Sequence, residues 1–145
     1  MSSIEQLYNH WQSDVSIDET EIAKESIKIP SLHHKYMKML TEERIKWRSL
    51  DADMKRLKLE KYEFYTQGPT KEQIEKGWKL PPSGMILKSD IPMYMDADDE
   101  IIQLSIKIGI QQEKIELLES IIKTLMNRSY ILSNALAHMK FVMGG

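Results

Sequence analysis

The residues best placed to do chemistry in this chain are cations beside aromatic rings. The stretch Lys55-Arg56-Leu57-Lys58-Leu59-Glu60-Lys61 is the densest cationic run, and Tyr62, Phe64 and Tyr65 follow it directly. Lys46 and Arg48 lie upstream on the same helical pattern, with Lys35, Lys38 and Arg44 before them. Ammonium and guanidinium groups that track phosphates, next to rings on which unpaired bases stack, suit sequence-tolerant binding of a single strand. The acids Glu42, Glu43, Asp51, Asp53, Glu60 and Glu63 are interleaved. A solvated, salt-bridged helix face with the aromatics in the core therefore stands as the alternative. The candidate DNA-binding residues are Lys46, Arg48, Lys55, Arg56, Lys58, Lys61, Tyr62 and Tyr65.

Catalytic chemistry finds no support. The histidines are His10, His33, His34 and His138, and the neighbours His33 and His34 would point about 100° apart on a helix. No HExxH and no GxxxxGK[ST] loop occurs. The acids Asp96, Asp98, Asp99 and Glu100 lack the spacing and glycine of a calcium loop, and they suit the start of a helix instead. The absence of cysteine excludes disulfides, a thiol nucleophile, a zinc ribbon and an iron–sulfur centre. No enzyme activity, cofactor or metal is expected.

The 145 residues carry 20 Lys and Arg against 22 Asp and Glu, a formal net charge of −2. Any nucleic-acid binding must come from local segregation of charge. No apolar run is long enough for a membrane span. The start Met1-Ser2-Ser3-Ile4-Glu5 lacks the pattern of a signal peptide, so an intracellular protein with no membrane contact is expected.

The elements that must position the cations are helices, and the expected fold class is all-α. Apart from Pro30, every proline lies between Pro69 and Pro92, which predicts two long helical arms around a connector. The expected divisions are 1–66, an N-terminal arm with the basic helix, 67–95, a connector with a short helix, and 96–145, a C-terminal oligomerisation helix. Ile4, Leu7, Tyr8 and Trp11 give an opening amphipathic helix. Asp18 or Ser16 is expected to cap the next one, with Glu19 and Glu21 in its first turn and Pro30 as a kink or restart. A seven-residue repeat then runs Tyr36, Leu40, Glu43, Trp47, Leu50, Met54, Leu57, Lys61, Phe64, broken only by Glu43 and Lys61.

In the connector, Gly68-Pro69 is a turn signal, and Thr70 with Gln73 fits a capping box. Pro81-Pro82-Ser83-Gly84 demands extended or turning backbone, and Met85-Ile86-Leu87 suits a small strand or a docked segment. The last arm has the strongest seam: Ile101, Leu104, Ile108, Gln111, Ile115, Leu118, Ile122, Leu125, Ser129, Leu132, Leu136, Met139. So long a stripe needs a partner helix, from this chain or another. Ile106, Ile110, Leu117, Ile121 and Ile131 widen it, which suggests both contacts at once. The candidate oligomerisation residues are Ile108, Ile115, Leu118, Ile122, Leu125, Leu132 and Leu136.

This layout resembles the UvsY family, the recombination mediators of T4-like bacteriophages. The resemblance covers nearly the whole chain. It rests on Asp14-Val15-Ser16-Ile17-Asp18, the lysine-rich helix, the box Tyr62-Glu63-Phe64-Tyr65-Thr66-Gln67-Gly68, the segment Leu87-Lys88-Ser89-Asp90 and the closing Lys140-Phe141. It implies a non-catalytic protein of the infected host's cytoplasm that binds single-stranded DNA. It further implies contact with the phage recombinase and the phage single-strand-binding protein, and help to the former in replacing the latter. A homo-oligomeric ring, a hexamer or heptamer built through the C-terminal helix, is implied as well. The family's DNA box places its Arg at Lys61 and its Lys at Leu59, with Lys58 the nearest cation. A structural coiled-coil scaffold or adaptor without DNA binding is the alternative function.

Overall fold

The structure, a computed structural model, describes residues 3–82, 84 and 86–144. It is all-helical: α1 (Ile4–Val15), α2 (Ile22–Gln67), α3 (Lys71–Glu75), a 3-10 turn (Lys88–Asp90), α4 (Ile91–Asp96) and α5 (Asp99–Gly144). No strand occurs among the described residues; Ile86 and Leu87 are irregular, while Ser83 and Met85 lie outside them. None of these helices is long and apolar enough to cross a membrane.

Local chemistry sets the helix ends. Ser3 and Gln6 form a reciprocal capping box on α1, and Thr70 with Gln73 does the same on α3, as the spacing predicts. Gly68 and Gly77 end α2 and α3 in the left-handed region, at φ 87° and 85°, where a side chain would be strained. Asp18 is no helix cap. Its carboxylate accepts from the Thr20 N–H and hydroxyl, which closes a turn, and α2 starts only at Ile22. Glu19 and Glu21 therefore precede the helix, and Glu25 occupies its first turn. Helix α2 also continues through Pro30, which removes one donor without ending it.

The chain forms two compact units, Met1–Lys46 with Ile110–Gly145, and Trp47–Gly109, so each takes part of both long helices. In the first unit α2 and α5 pair antiparallel. The Asp14–Tyr36 region meets Arg128, and Glu43 meets Gln111. Tyr36, Leu40, Ile115, Leu118, Ile121, Ile122, Leu125 and Leu132 are buried there. From Gln111 to Leu132 the expected seam is inward except that Ser129 is exposed and Arg128 takes the inward position; beyond it Leu136 is half-buried and Met139 exposed.

Arg128 fastens α1 to this pair. Its guanidinium donates to the Asp14 and Val15 carbonyls at 3.3 and 2.6 Å, filling acceptors that the end of α1 leaves open. It also lies 5.6 Å from the Trp11 ring centroid. The Asp14 carboxylate accepts from Lys35 at 2.6 Å and from the Tyr36 hydroxyl at 2.7 Å. Burial pushes the Asp14 carboxyl up, but these bonds and the Lys35 charge outweigh it and hold the group below its ordinary value. Arg128→Ala should cost about 1.5–3 kcal/mol, the range for hydrogen bonds from a charged donor. Hydrogen exchange should then show α1 losing protection ahead of α2; uniform loss, or none, would contradict the clamp.

Candidate nucleic-acid interface

The second unit carries the cation-rich part of α2, and its inward face is built around Lys61. This side chain occupies a seam position that helical spacing turns inward, and it is only 4% exposed. Its ammonium lies 3.0 Å from the Asp98 carboxylate and 3.6 Å from Glu100. It also sits 3.5 Å from the centroid of Trp78, with Phe64 at 5.8 Å. Trp78 packs edge-on against Phe64 and donates its indole N–H to the Glu100 carboxylate. An ion this deep is tolerated because carboxylates and ring faces replace its water.

Asp98 ties α2 to the start of α5. One oxygen caps α5, accepting from the Glu100 and Ile101 N–H groups at 3.0 and 3.1 Å. The other accepts from the Tyr65 hydroxyl at 2.8 Å and meets Lys61. Burial pushes the Asp98 carboxyl up. The bonds from Tyr65, Ile101 and Lys61, with the Lys61 charge, outweigh that and hold it below its ordinary value. Burial and the bond to Asp98 push the Tyr65 hydroxyl well up, so it stays protonated and donating. A cleft of about 360 Å³ opens beside the cluster, with Lys76 and Lys79 at its edge. No buried side-chain nitrogen or oxygen lacks a partner among the described residues. The cluster satisfies itself.

The remaining expected cations face outward. Arg48, Lys55, Arg56 and Lys58 are exposed, and Tyr62 is 41% exposed. Lys55 pairs with Asp51 and Arg56 with Asp53, both at 3.1 Å on the surface, where such pairs contribute little. Arg48 and Lys58 meet no carboxylate within 4 Å among the described residues. Positions 48, 55, 58 and 62 fall on one side of the helix, within an arc of roughly 80° at 100° per residue. Arg56 turns away from that arc. Lys46, in the other unit, is half-buried and pairs with Glu43 at 3.2 Å.

Two expectations thus change. Lys61, expected among the strand-binding cations, is turned inward and charge-paired, and Tyr65 bonds inward with it. The α5 seam, expected to serve a helix of its own chain and other copies at once, is covered within the chain at Ile115, Leu118, Ile122, Leu125 and Leu132, with Ile108 and Leu136 half-buried. Helix α5 leaves an outer row exposed: Met126, Tyr130, Ala137 and Phe141 recur at helical spacing, and Phe141 is 78% exposed; Ile106, Ile110 and Ile131, expected to widen the seam, and Met139 are exposed as well. The spacing missed Asp98 and Trp78 as partners of Lys61. The only hint lay in two buried-type positions, an inward lysine and a lone tryptophan in a polar connector.

The family described as "Recombination, repair and ssDNA binding protein UvsY" matches residues 10–145. The chain belongs to the UvsY family. The fold is similar to two crystal structures of the bacteriophage T4 recombination mediator protein UvsY. One, in lattice type IV, has a TM-score of 0.78 at 14% identity, covering 97% of this chain and 98% of that one. The other, in lattice type II, has 0.79 at 16% identity with both chains fully covered. A search of curated proteins by sequence finds no match.

Breaking the buried pair should be costly. Lys61→Met leaves Asp98 buried without its counter-charge and should destabilise the fold by about 3–5 kcal/mol in denaturant titration. A smaller loss than 1 kcal/mol would mean the ammonium is solvated. Because the Asp98 carboxyl is held low, its contribution is complete above the ordinary carboxylate range and is lost as pH falls below about 4. Asp98→Asn should therefore flatten the acid limb of the stability profile.

Proposed function

We propose that the chain is a recombination mediator that holds single-stranded DNA on the outer face of α2. The observation that carries this reading is the shared arc of Arg48, Lys55, Lys58 and Tyr62, three cations and a half-exposed ring, two of the cations without a carboxylate partner. The cations follow the phosphates and Tyr62 offers a face to a base. Membership of a family described by recombination, repair and single-strand binding supports it. Lys61 acts in this reading as the anchor that orients the helix, and Lys58 takes the place of the family's box cation.

One such face is a weak site, so assembly matters. The proposal includes a homo-oligomer, a ring of six or seven chains, that repeats the face and turns modest affinity into avidity. Its contacts use the outer row of α5 rather than the inner seam. Displacement of a single-strand-binding protein and loading of a phage recombinase follow from presenting the strand in a strained path, and both are partners in the proposal. The setting is the cytoplasm of an infected host.

Anisotropy titration with oligo-dT over a salt series tests the DNA site. Removing Arg48, Lys55 and Lys58 together as alanines should weaken binding and flatten the slope of log affinity against log salt, by about 0.7 per lost phosphate contact. Tyr62→Ala should cost roughly 1–3 kcal/mol and leave the slope alone. Parent-like binding by the triple variant, or no binding by the parent, would favour a scaffold without DNA. For assembly, Tyr130→Asp with Phe141→Asp should lower the mass seen in mass photometry while helicity persists. Unchanged mass would move the interface off this row.

A further inference from the structure

In the first unit, the α2–α5 seam closes on one polar layer. Glu43 and Gln111 are 3% and 5% exposed, and the buried apolar residues Leu40 and Tyr36 of α2 and Ile115 and Leu118 of α5 follow on the same side of it. The Gln111 amide donates to the Glu43 carbonyl oxygen at 2.8 Å and to the Glu43 carboxylate. Lys46 pairs with the same carboxylate, which neutralises the layer. Leucine at both positions would bury more apolar surface and desolvate no carboxylate, so stability is a poor reason for this pair.

We infer that the Glu43–Gln111 layer selects the partner of α5: it keeps the helix on α2 of its own chain, in one register, against pairing between copies. A seam of isoleucine and leucine packs acceptably after a slip of one heptad, because apolar meets apolar at every layer. A slip moves Gln111 away from Glu43 and sets a carboxylate and an amide against aliphatic side chains. Pairing of α5 with α5 of a second copy likewise denies Gln111 its carboxylate. Both errors leave buried polar groups without partners, which penalises them although the rest of the seam would accept them. The inner seam then stays within the chain, and the exposed residues of α5, the outer row among them, are open to other copies. The inference is independent of DNA binding.

The cysteine-free chain allows a direct test. Arg44 and Glu119 meet across the pair at 3.3 Å on the surface. Arg44→Cys with Glu119→Cys, bridged by a short bismaleimide in the full-length protein, should give a within-chain product only. Adding Glu43→Leu and Gln111→Leu should divide the product between within-chain and between-chain species on a denaturing gel. The same variant should give several masses in mass photometry without a lower melting temperature. Glu43→Gln, which keeps one acceptor oxygen for the Gln111 amide, should behave as the parent. Within-chain product alone and the parent's mass distribution in the leucine variant overturn the inference. So does its unfolding, which would make the layer a stabilising contact instead, or a parent that yields no within-chain product.

Discussion

An ammonium group withdrawn from water must be given back what water supplied, and the second unit is arranged around that requirement at Lys61. The Coulombic attraction to Asp98 is strong because both groups are almost fully buried. It offsets the desolvation of each only if the remaining hydrogen-bonding capacity is also met. The Asp98 oxygens meet it by capping α5 and by accepting from Tyr65. Trp78 meets it on the other side, with its ring over the ammonium and its N–H on Glu100. Remove the charge and three elements lose a common point of attachment. The exposed face of α2 is oriented by what the opposite face holds.

The sequence pattern carried much of this, and its failures have identifiable causes. The seam spacing placed Glu43 and Lys61 at inward positions, and both are inward. Periodicity reports where a side chain points. It does not report whether a counter-charge waits there, so a cation-rich run read as one surface. The acidic stretch Asp96–Glu100 suited a helix dipole, and Asp98 does cap α5, but its second oxygen belongs to Lys61. Arg128 was missed by one residue. Between the buried Leu125 and Leu132 a step of 3.5 residues falls midway between positions 128 and 129, and it is Arg128 that turns inward. At Pro30 the propensity penalty was real and was overridden, as packing on both sides of a long helix commonly does.

Polar residues in otherwise apolar seams recur here with different duties. Lys61 fixes a helix to a connector, Glu43 and Gln111 hold two helices in register, and Arg128 closes the end of α1. Taken as whole pairs, Lys61 with Asp98 and Glu43 with Gln111 stabilise no more than well-packed aliphatic side chains would, and they forbid arrangements that aliphatic side chains would permit. That economy suits a protein whose aliphatic content would otherwise let its helices exchange partners freely. In the proposed reading the outer face of α2 is left to short-range, exchangeable contacts, which would suit a strand that is held and then handed on.

Lysine ammonium NMR on the 15N-labelled protein tests the central claim most directly, since it separates the buried cation from the exposed ones in one spectrum. The account requires a slowly exchanging Lys61 ammonium resonance, assigned by Lys61→Met, that stays in place when oligo-dT is added to saturation. Lys55 and Lys58 should exchange fast with water when free and shift when the strand binds. A Lys61 resonance that is solvent-exchanging, or that moves with DNA more than Lys58 does, would contradict the account.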